Sequence, residues 1–586
     1  MNRQASRQPS SIRLDSNHLF IPAICVMVIL FVIINSPWPM LGGDEAAWLT
    51  SVLKVLDGKF MGREAILAKG PYLLLWHLVV YAAAGPSLLA LKAVGLVWKM
   101  ITGLVICLLA FRTAGREGVV ATGVLYIGAS ADPALRTSVY AETIFALPLA
   151  AAVALIVFSH GGRNLPYLAV AGFLAGFAVL VKQTALITFL ALIAAIALIG
   201  LHQDRRRALA ASGSYLLGAV VSALPWAAYL YIYRAGEGAS ADMITGAAGY
   251  LAQMDAGQTV ANLQWAAVHV LPRFSILIIA SVAGLGLLYR AVGRKSGAEA
   301  RGSADPHLWR ASALVMGLWY ISSVLIYAAT LRFAAHYLNQ FAAPAALIGG
   351  IWIGRAMTRG DLTTREGHLN LPVLIGITQL VVILVLLPSN VQRWQRAVEV
   401  SADGSTIRKA GEYLKRHSTP SDTVFVWGDV QEVLYWAERQ LSAHNPWMTL
   451  HVLGFSHIGP LEAYRVSEKI DWNRFSDHLQ NERPDWVVVA PLVQTLVGES
   501  SRKWGTGDLP GLRELLEKSY TLEDVVGGYE MWRRIKPSDD KIPRSSEIQI
   551  VSAPPWPPVI GDSKSKVPTI RQQRYGGSTH DSATFD

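Results

Sequence analysis

The sequence contains little charge for its length. Only 16% of its 586 residues are charged, whereas 52% are hydrophobic. Soluble globular chains are about a quarter charged, so this composition excludes an ordinary aqueous surface for most of the chain. The chain also contains 18 Trp and 50 Gly. Both are typical of polytopic membrane proteins, in which aromatic residues lie at the interfaces and Gly is common within spans.

Cysteines and nucleotide-binding motifs are scarce as well. The two cysteines, Cys25 and Cys107, lie within apolar runs, which excludes a disulfide framework and a cysteine-based metal motif. No P-loop and no Gly-rich dinucleotide motif follows a predicted strand, so no nucleotide-sugar site is expected. The net charge of +10 does not indicate nucleic-acid binding, because the basic residues lie in short loops between apolar runs.

Eleven apolar runs are candidate membrane spans, since about 20 residues are needed to cross the hydrocarbon. They lie near 19–38, 88–111, 119–131, 143–159, 165–181, 185–201, 210–230, 270–290, 309–330, 338–355 and 371–388. Lys and Arg concentrate in alternate loops, starting with the N-terminal segment 1–18, which predicts a cytoplasmic N-terminus. An odd number of spans then places everything after Pro388 outside the cytoplasm.

The first outer loop, residues 39–87, is predicted to be structured within the membrane domain 19–388. Trp48 and Val52 share one face of an amphipathic helix over 44–58. The apolar stretch from Pro71 to Ala84 is too short to span and is interpreted as an interfacial or re-entrant helix.

The composition changes at Ser389. The segments "IRKAGEYLKRH" and "VQEVLYWAERQ" predict helices, and "DTVFVWG", "PDWVVVA" and "EMWRRI" predict strands. This alternation indicates a small α/β domain over 389–536. Residues 537–586 lack periodicity and are predicted to be disordered. The expected fold class is therefore a polytopic α-helical membrane protein with a small C-terminal extracytoplasmic α/β domain.

Charged residues near the outer ends of spans require a structural or functional explanation, because charge is costly at bilayer depth. They are Asp44, Glu45, Arg63, Lys69, Asp132, Arg136, Glu142, Lys182, Arg332 and His336. Carboxylates together with cations suit a reaction with a phosphate leaving group, in which a carboxylate accepts a proton and cations hold the phosphate. Structural explanations remain open, since Asp44 could cap a helix and Lys182 could extend from a helix end to the interface.

Six short segments between about residues 20 and 450 contain most of these charged residues. They are "GGDEAAW", "AKGPYLLLWH", "LRTSVYAETIFAL", "AGFLAGFAVLVKQTALI", "LRFAAHYLNQFAAPAALIGG" and "TVFVWGDVQEVLYWAERQ". Their order resembles that of the GT-C membrane glycosyltransferases, specifically glycosyltransferase family 39 and the protein O-mannosyltransferase-like group. This group includes the lipid A aminoarabinose transferases.

The resemblance implies an inverting glycosyltransferase of the bacterial inner membrane. The donor would be a polyprenyl-phosphate sugar, and the acceptor lipid A, another surface glycan or a protein on the periplasmic side. Asp44 is the expected base, and Glu142 orients the acceptor or shares a divalent metal ion with Asp44.

The remaining candidate residues are expected to bind substrate. Lys69, Lys182 and Arg332 would surround the phosphate, and the other substrate-binding candidates are Glu45, His336 and Tyr337. Asp132 competes with Glu142 for the role of second acidic residue.

Two other classes of protein remain open at this stage. A transporter or flippase of lipid-linked sugars would place charges deep within spans and contain internal repeats. A non-catalytic scaffold with an outer sensor domain would lack turnover. The sugar, the acceptor and the need for a metal are not determined by the sequence.

Overall fold

The computed structural model describes residues 16–35, 43–61, 69–85, 87–132, 135, 139–159, 162–233, 256–293, 306–331, 333–358, 371–402, 406–427, 432–442, 472–490 and 510–535. The predicted disordered tail lies outside these residues, as do Arg63, Arg136 and Arg332.

The N-terminal part of the described chain is helical. Its helices are α1 (Ser16–Ile34), α2 (Gly43–Leu56), α3 (Pro71–Ala84), α4 (Leu88–Ser130), α5 (Ala141–Phe158), α6 (Leu165–Val181), α7 (Ala185–Leu201), α8 (Arg205–Tyr233), α9 (Ala256–Trp265), α10 (Ser275–Gly293), α11 (Pro306–Ala329), α12 (Asn339–Thr358) and α13 (Leu371–Ala402). A π-helical turn (Ala266–Val270) and a 3-10 turn (Leu271–Phe274) join α9 to α10, and a second 3-10 turn (Ala335–Leu338) directly precedes α12.

Each of the eleven predicted spans coincides with a helix. Six helices of the described chain are long and apolar enough to cross a membrane, and shorter apolar helices account for four further spans. The helix α4 contains two predicted spans, because Gly115 adopts φ 68° and ψ −158° and breaks the helix between them. Glycine adopts such a conformation without the steric penalty of a Cβ atom.

The helix α12 lies at the centre of the helical core and is buried along most of its length. It packs closely on α4, because a Cβ atom at Gly350 would lie only 2.0 Å from Thr122 Oγ1. Small residues permit this close approach of helices, which is a common means of helix association in membranes. The close packing holds the C-terminal half of α12 against α4.

The first outer loop contains two helices, as its pattern predicts. The amphipathic helix α2 buries Trp48 and Val52, and α3 buries Tyr72 and Leu73. Both belong to the same apolar core as the membrane helices. The loop is therefore an integral part of the helical body.

The C-terminal part forms a mixed five-stranded sheet with helices. Its elements are α14 (Thr406–His417), β1 (Thr423–Trp427), α15 (Glu432–Ala437), β2 (Gln440–Leu441), α16 (Trp472–Glu482), β3 (Trp486–Val489), α17 (Pro510–Glu517), β4 (Tyr520–Val526) and β5 (Tyr529–Arg534). The strand order is β2-β1-β3-β5-β4. The strand β1 is parallel to β2 and β3, whereas β5 is antiparallel to β3 and β4.

This sheet confirms the predicted α/β character, although the short strand β2 and the strand β4 have no clear sequence signal. The helix α13 continues past Pro388 to Ala402. The α/β domain contacts the first outer loop, because Tyr435 of α15 enters the membrane-helix core and the Gln440 side chain donates a hydrogen bond to Asp57. Both regions therefore lie at the same face of the helical body.

Candidate active site

The centre of the site is a buried ion pair between two helix ends. Glu142 lies in the first turn of α5, and Lys182 is the residue that directly follows α6. The Lys182 ammonium donates a hydrogen bond to Glu142 Oε1, and both residues are buried. Burying two charges removes them from water, and this cost is offset only if further polar or aromatic groups contact them. The pair therefore requires support from neighbouring side chains.

Aromatic side chains from the turn before α12 surround this pair. Lys182 Nζ lies 4.3 Å from the centroid of the Tyr337 ring. The imidazole of His336 stacks on Tyr140, the residue before α5, with ring centroids 4.5 Å apart and planes inclined by 17°. A cation over an aromatic face is attracted by the ring quadrupole, so Tyr337 contributes to holding the Lys182 ammonium.

Lys69 lies beside the same helix end. The Gly70 N–H donates to Val181 O at 3.0 Å, which joins the chain before α3 to the residue before Lys182. A Cβ atom at Gly70 would lie 1.9 Å from Leu180 O, so no other residue type fits there without movement. Lys69, Lys182 and the imidazole of His336 all lie within electrostatic range of the Glu142 carboxylate.

Five residues singled out by sequence are thus brought together from segments far apart in the chain. They are Lys69, Glu142, Lys182, His336 and Tyr337. Arg332 belongs to the same sequence segment as His336 but lies outside the described residues.

The acidic pair of the first outer loop has a different environment. The helix α2 begins at Gly43, which places Asp44 in its first turn. The structure does not describe the Asp44 side chain. Glu45 is fully buried, accepts a hydrogen bond from Lys92 Nζ at 2.5 Å, and accepts a second from Val139 N at 3.2 Å. Glu45 therefore joins α2 to α4 and to the residues that lead into α5.

Lys92 and Lys99 are buried charged residues that the sequence analysis missed. Both lie on α4, two helical turns apart and hence on one face. Lys92 pairs with Glu45, and the Lys99 ammonium donates to Leu135 O. The sequence did indicate them, because a lysine inside an apolar run is costly to bury and needs a partner.

Asp132 is paired with a different cation. Its Oδ2 lies 3.3 Å from Arg273 Nε, and Asp132 is largely buried whereas Arg273 is partly exposed. Asp132 and Glu142 thus belong to separate ion pairs. Of the two, Glu142 shares its surroundings with Lys69 and Lys182.

Across the described ranges, no group of three or more His, Cys, Asp or Glu side chains is arranged to hold a metal ion. Glu142 offers one carboxylate, but its Oε1 already accepts a hydrogen bond from Lys182. A metal shared by Asp44 and Glu142 therefore stays a prediction.

Comparison with known proteins identifies the fold. No protein-family model matches the sequence, and no curated protein matches it either. Two crystal structures of ArnT from Cupriavidus metallidurans do match, each at 13% sequence identity. The structure bound to undecaprenyl phosphate has a TM-score of 0.55, with 89% of this chain and 99% of ArnT covered. The apo structure has a TM-score of 0.53, with 89% and 98% covered.

The chain therefore has the GT-C fold of membrane glycosyltransferases. The predicted class, a polytopic helical membrane protein with a small C-terminal α/β domain, is confirmed.

Proposed function

We propose that the chain is an inverting glycosyltransferase that moves a sugar from a polyprenyl-phosphate donor to a cell-envelope acceptor. The acceptor would be lipid A, another surface glycan or a protein on the periplasmic side of the inner membrane. The observation that carries this proposal is the buried cluster of Glu142, Lys182 and Tyr337 with Lys69 beside it. ArnT, which shares the fold, has been crystallised bound to undecaprenyl phosphate, and this supports the class of donor.

The charges of the cluster suit the departure of a lipid phosphate. Lys69 and Lys182 together exceed the single negative charge of Glu142, so the cluster retains positive charge. The donor is a phosphodiester, whereas the leaving polyprenyl phosphate is a monoester whose charge approaches about −1.5 to −2. Negative charge therefore grows on the phosphate as the bond to the sugar breaks, and fixed cations stabilise that state more than the ground state.

Asp44 is the proposed base. Its carboxylate would take the proton of the acceptor hydroxyl while the hydroxyl oxygen attacks the anomeric carbon and the phosphate leaves from the opposite side. A single displacement of this kind inverts the anomeric centre. Glu45 would act indirectly, because its pairing with Lys92 fixes the helix on which Asp44 lies.

The other residues of the site are assigned to substrate binding. Lys69, Lys182 and Arg332 would hold the phosphate, and His336 and Tyr337 would contact the donor. Glu142 would orient the acceptor or share a divalent ion with Asp44.

The proposed phosphate site gives a first test. Purified protein should convert a synthetic polyprenyl-phosphate sugar to polyprenyl phosphate when an acceptor is present. Lys182→Ala should lower kcat/KM for this donor by at least about tenfold, through a higher KM and a lower kcat, since a charge-assisted contact contributes about 1.5–3 kcal/mol. Donor consumption at several donor concentrations measures the effect.

Lys518→Ala is the matched control, because Lys518 is an exposed lysine of the α/β domain. It should leave kcat/KM unchanged. Wild-type kinetics in Lys182→Ala would contradict the phosphate role, and movement of the donor across the bilayer without any transfer would instead favour a flippase.

The proposed orientation gives a second test. A periplasmic reporter fused after Ala402, at the end of α13, should be active outside the cytoplasm. The same reporter fused after Arg207, in the first turn of α8, should be inactive there, because the basic residues 205–207 favour the cytoplasmic side. A cytoplasmic reporter at both sites should show the opposite pattern, and reversal at both sites would overturn the orientation and the proposed mechanism.

A further inference from the structure

The connection between α11 and the 3-10 turn has an unusual backbone. Leu331 has φ 55° and Phe333 has φ 51°, although neither is glycine. The Cβ atom makes this left-handed region unfavourable, and a residue other than glycine held there costs about 1–3 kcal/mol. Such strain persists only where surrounding contacts enforce it.

Two buried side chains hold this connection from different helices. The Tyr327 hydroxyl of α11 donates to Phe333 O at 2.9 Å. Asn262 of α9 is fully buried, and its Nδ2 donates to Leu331 O at 3.3 Å. The Tyr327 and Phe333 rings also meet edge to face, with centroids 5.6 Å apart. Both strained residues are therefore held through their own carbonyl groups.

The strained connection leads directly into the candidate active site. Ala334 O, next to Phe333, accepts a hydrogen bond from Tyr337 N at 3.1 Å. His336 stacks on Tyr140, and Tyr337 lies over Lys182. The 3-10 turn runs directly into α12, whose first-turn residues Gln340 and Phe341 are buried, so the far end of the turn is held by α12. The backbone at Leu331 and Phe333 therefore determines how its near end enters the site.

We propose that Tyr327 and Asn262 are positioning residues that hold Phe333 and Leu331 in the left-handed region and thereby place His336 on Tyr140 and Tyr337 on Lys182. Neither residue needs to contact substrate in this role. The kinetic consequences rest on the proposed function, whereas the structural ones do not.

Tyr327→Phe tests the proposal with the smallest change, because it removes only the hydroxyl. It should raise the KM for the polyprenyl-phosphate donor about three- to tenfold, as expected for one lost hydrogen bond of this kind, with a smaller change in kcat. Tyr289→Phe is the matched control, since Tyr289 is an exposed tyrosine of α10. Its kinetics should equal those of the wild type.

Rescue at Leu331 distinguishes positioning from a general loss of stability. Asn262→Ala removes the side chain that holds the Leu331 carbonyl and should also raise the donor KM. Glycine adopts positive φ without strain, so Leu331→Gly should restore the donor KM in the Asn262→Ala background. Leu331→Ala should not, because alanine keeps the Cβ atom that makes this region unfavourable. Equal rescue by both substitutions, or unchanged kinetics in Tyr327→Phe, would overturn the proposal.

Hydrogen exchange gives a readout that does not require the transferase reaction. In purified resting protein, Tyr327→Phe and Asn262→Ala should each speed amide exchange in a peptide over 333–341, and Leu331→Gly should slow it again in the Asn262→Ala background. Unchanged exchange in Tyr327→Phe would overturn the positioning role even if the enzyme is active. A wild-type protein without any sugar transfer would instead contradict the proposed function, and exchange would then decide the positioning role alone.

Discussion

Asp44→Asn is expected to reduce sugar transfer by at least about a hundredfold, which is the usual low end for loss of a general base. The amide of asparagine still accepts hydrogen bonds but does not take up a proton near neutral pH. Because Asp44 lies in the first turn of α2, the lost negative charge should lower helix stability by only about 0.3–1 kcal/mol. The rate should therefore fall far more than the stability.

The measurement is transfer from a synthetic polyprenyl-phosphate sugar by purified variants of matched melting temperature. Asp57→Asn provides a control with the same chemical change beyond the end of the same helix. Its amide oxygen can still accept the hydrogen bond from Gln440, so its activity should stay near that of the wild type. Near-full activity in Asp44→Asn would make the acidic pair structural and direct the search for the base to Glu142 or Asp132.

Lys92→Met is expected to lower the stability of the protein strongly. It leaves the Glu45 carboxylate fully buried without its Lys92 partner, and breaking a buried pair in this way costs about 3–5 kcal/mol. Adding Glu45→Gln should recover much of this loss, because the buried charge is then absent and the amide oxygen can still accept from Val139 N. Denaturant or thermal unfolding of the purified protein in detergent measures both effects.

Lys409→Met is a suitable control, since Lys409 is exposed on α14. Lys409→Met should change the free energy of unfolding by no more than about 0.5 kcal/mol, as most surface substitutions do. If Lys92→Met is no more destabilising than this control, or if the double variant is less stable than Lys92→Met alone, the pair does not stabilise the junction of α2 and α4.

The turnover of the double variant should also distinguish the role of Asp44 from that of Glu45. Asp44 remains intact in Lys92→Met/Glu45→Gln, so the chemistry is retained and only its geometry is disturbed. We therefore expect a smaller loss of turnover than in Asp44→Asn. A loss as large as that in Asp44→Asn would indicate that Glu45 has a direct role in the reaction.

Several features of this protein follow from the sequence because they depend on local requirements. A span needs a sufficient apolar length, so the runs from 143–159 to 185–201 predict α5 to α7 closely. The strands β1 and β3 were predictable because a short run of buried apolar residues between polar segments favours a strand. The charged residues of the cluster were identifiable because ionisable side chains next to apolar spans are costly at bilayer depth unless they have a partner or a function.

The tertiary structure decided which of these charged groups meet. Lys182 and Glu142 pair across 40 positions, and Glu45 pairs with Lys92 across 47. Several carboxylates compete for several cations, and only the packing of the helices selects among them. The left-handed residues Leu331 and Phe333 show the same dependence, because leucine and phenylalanine do not favour positive φ. Contacts from Asn262 and Tyr327 hold them there, and such contacts exist only once α9 and α11 have packed around the connection.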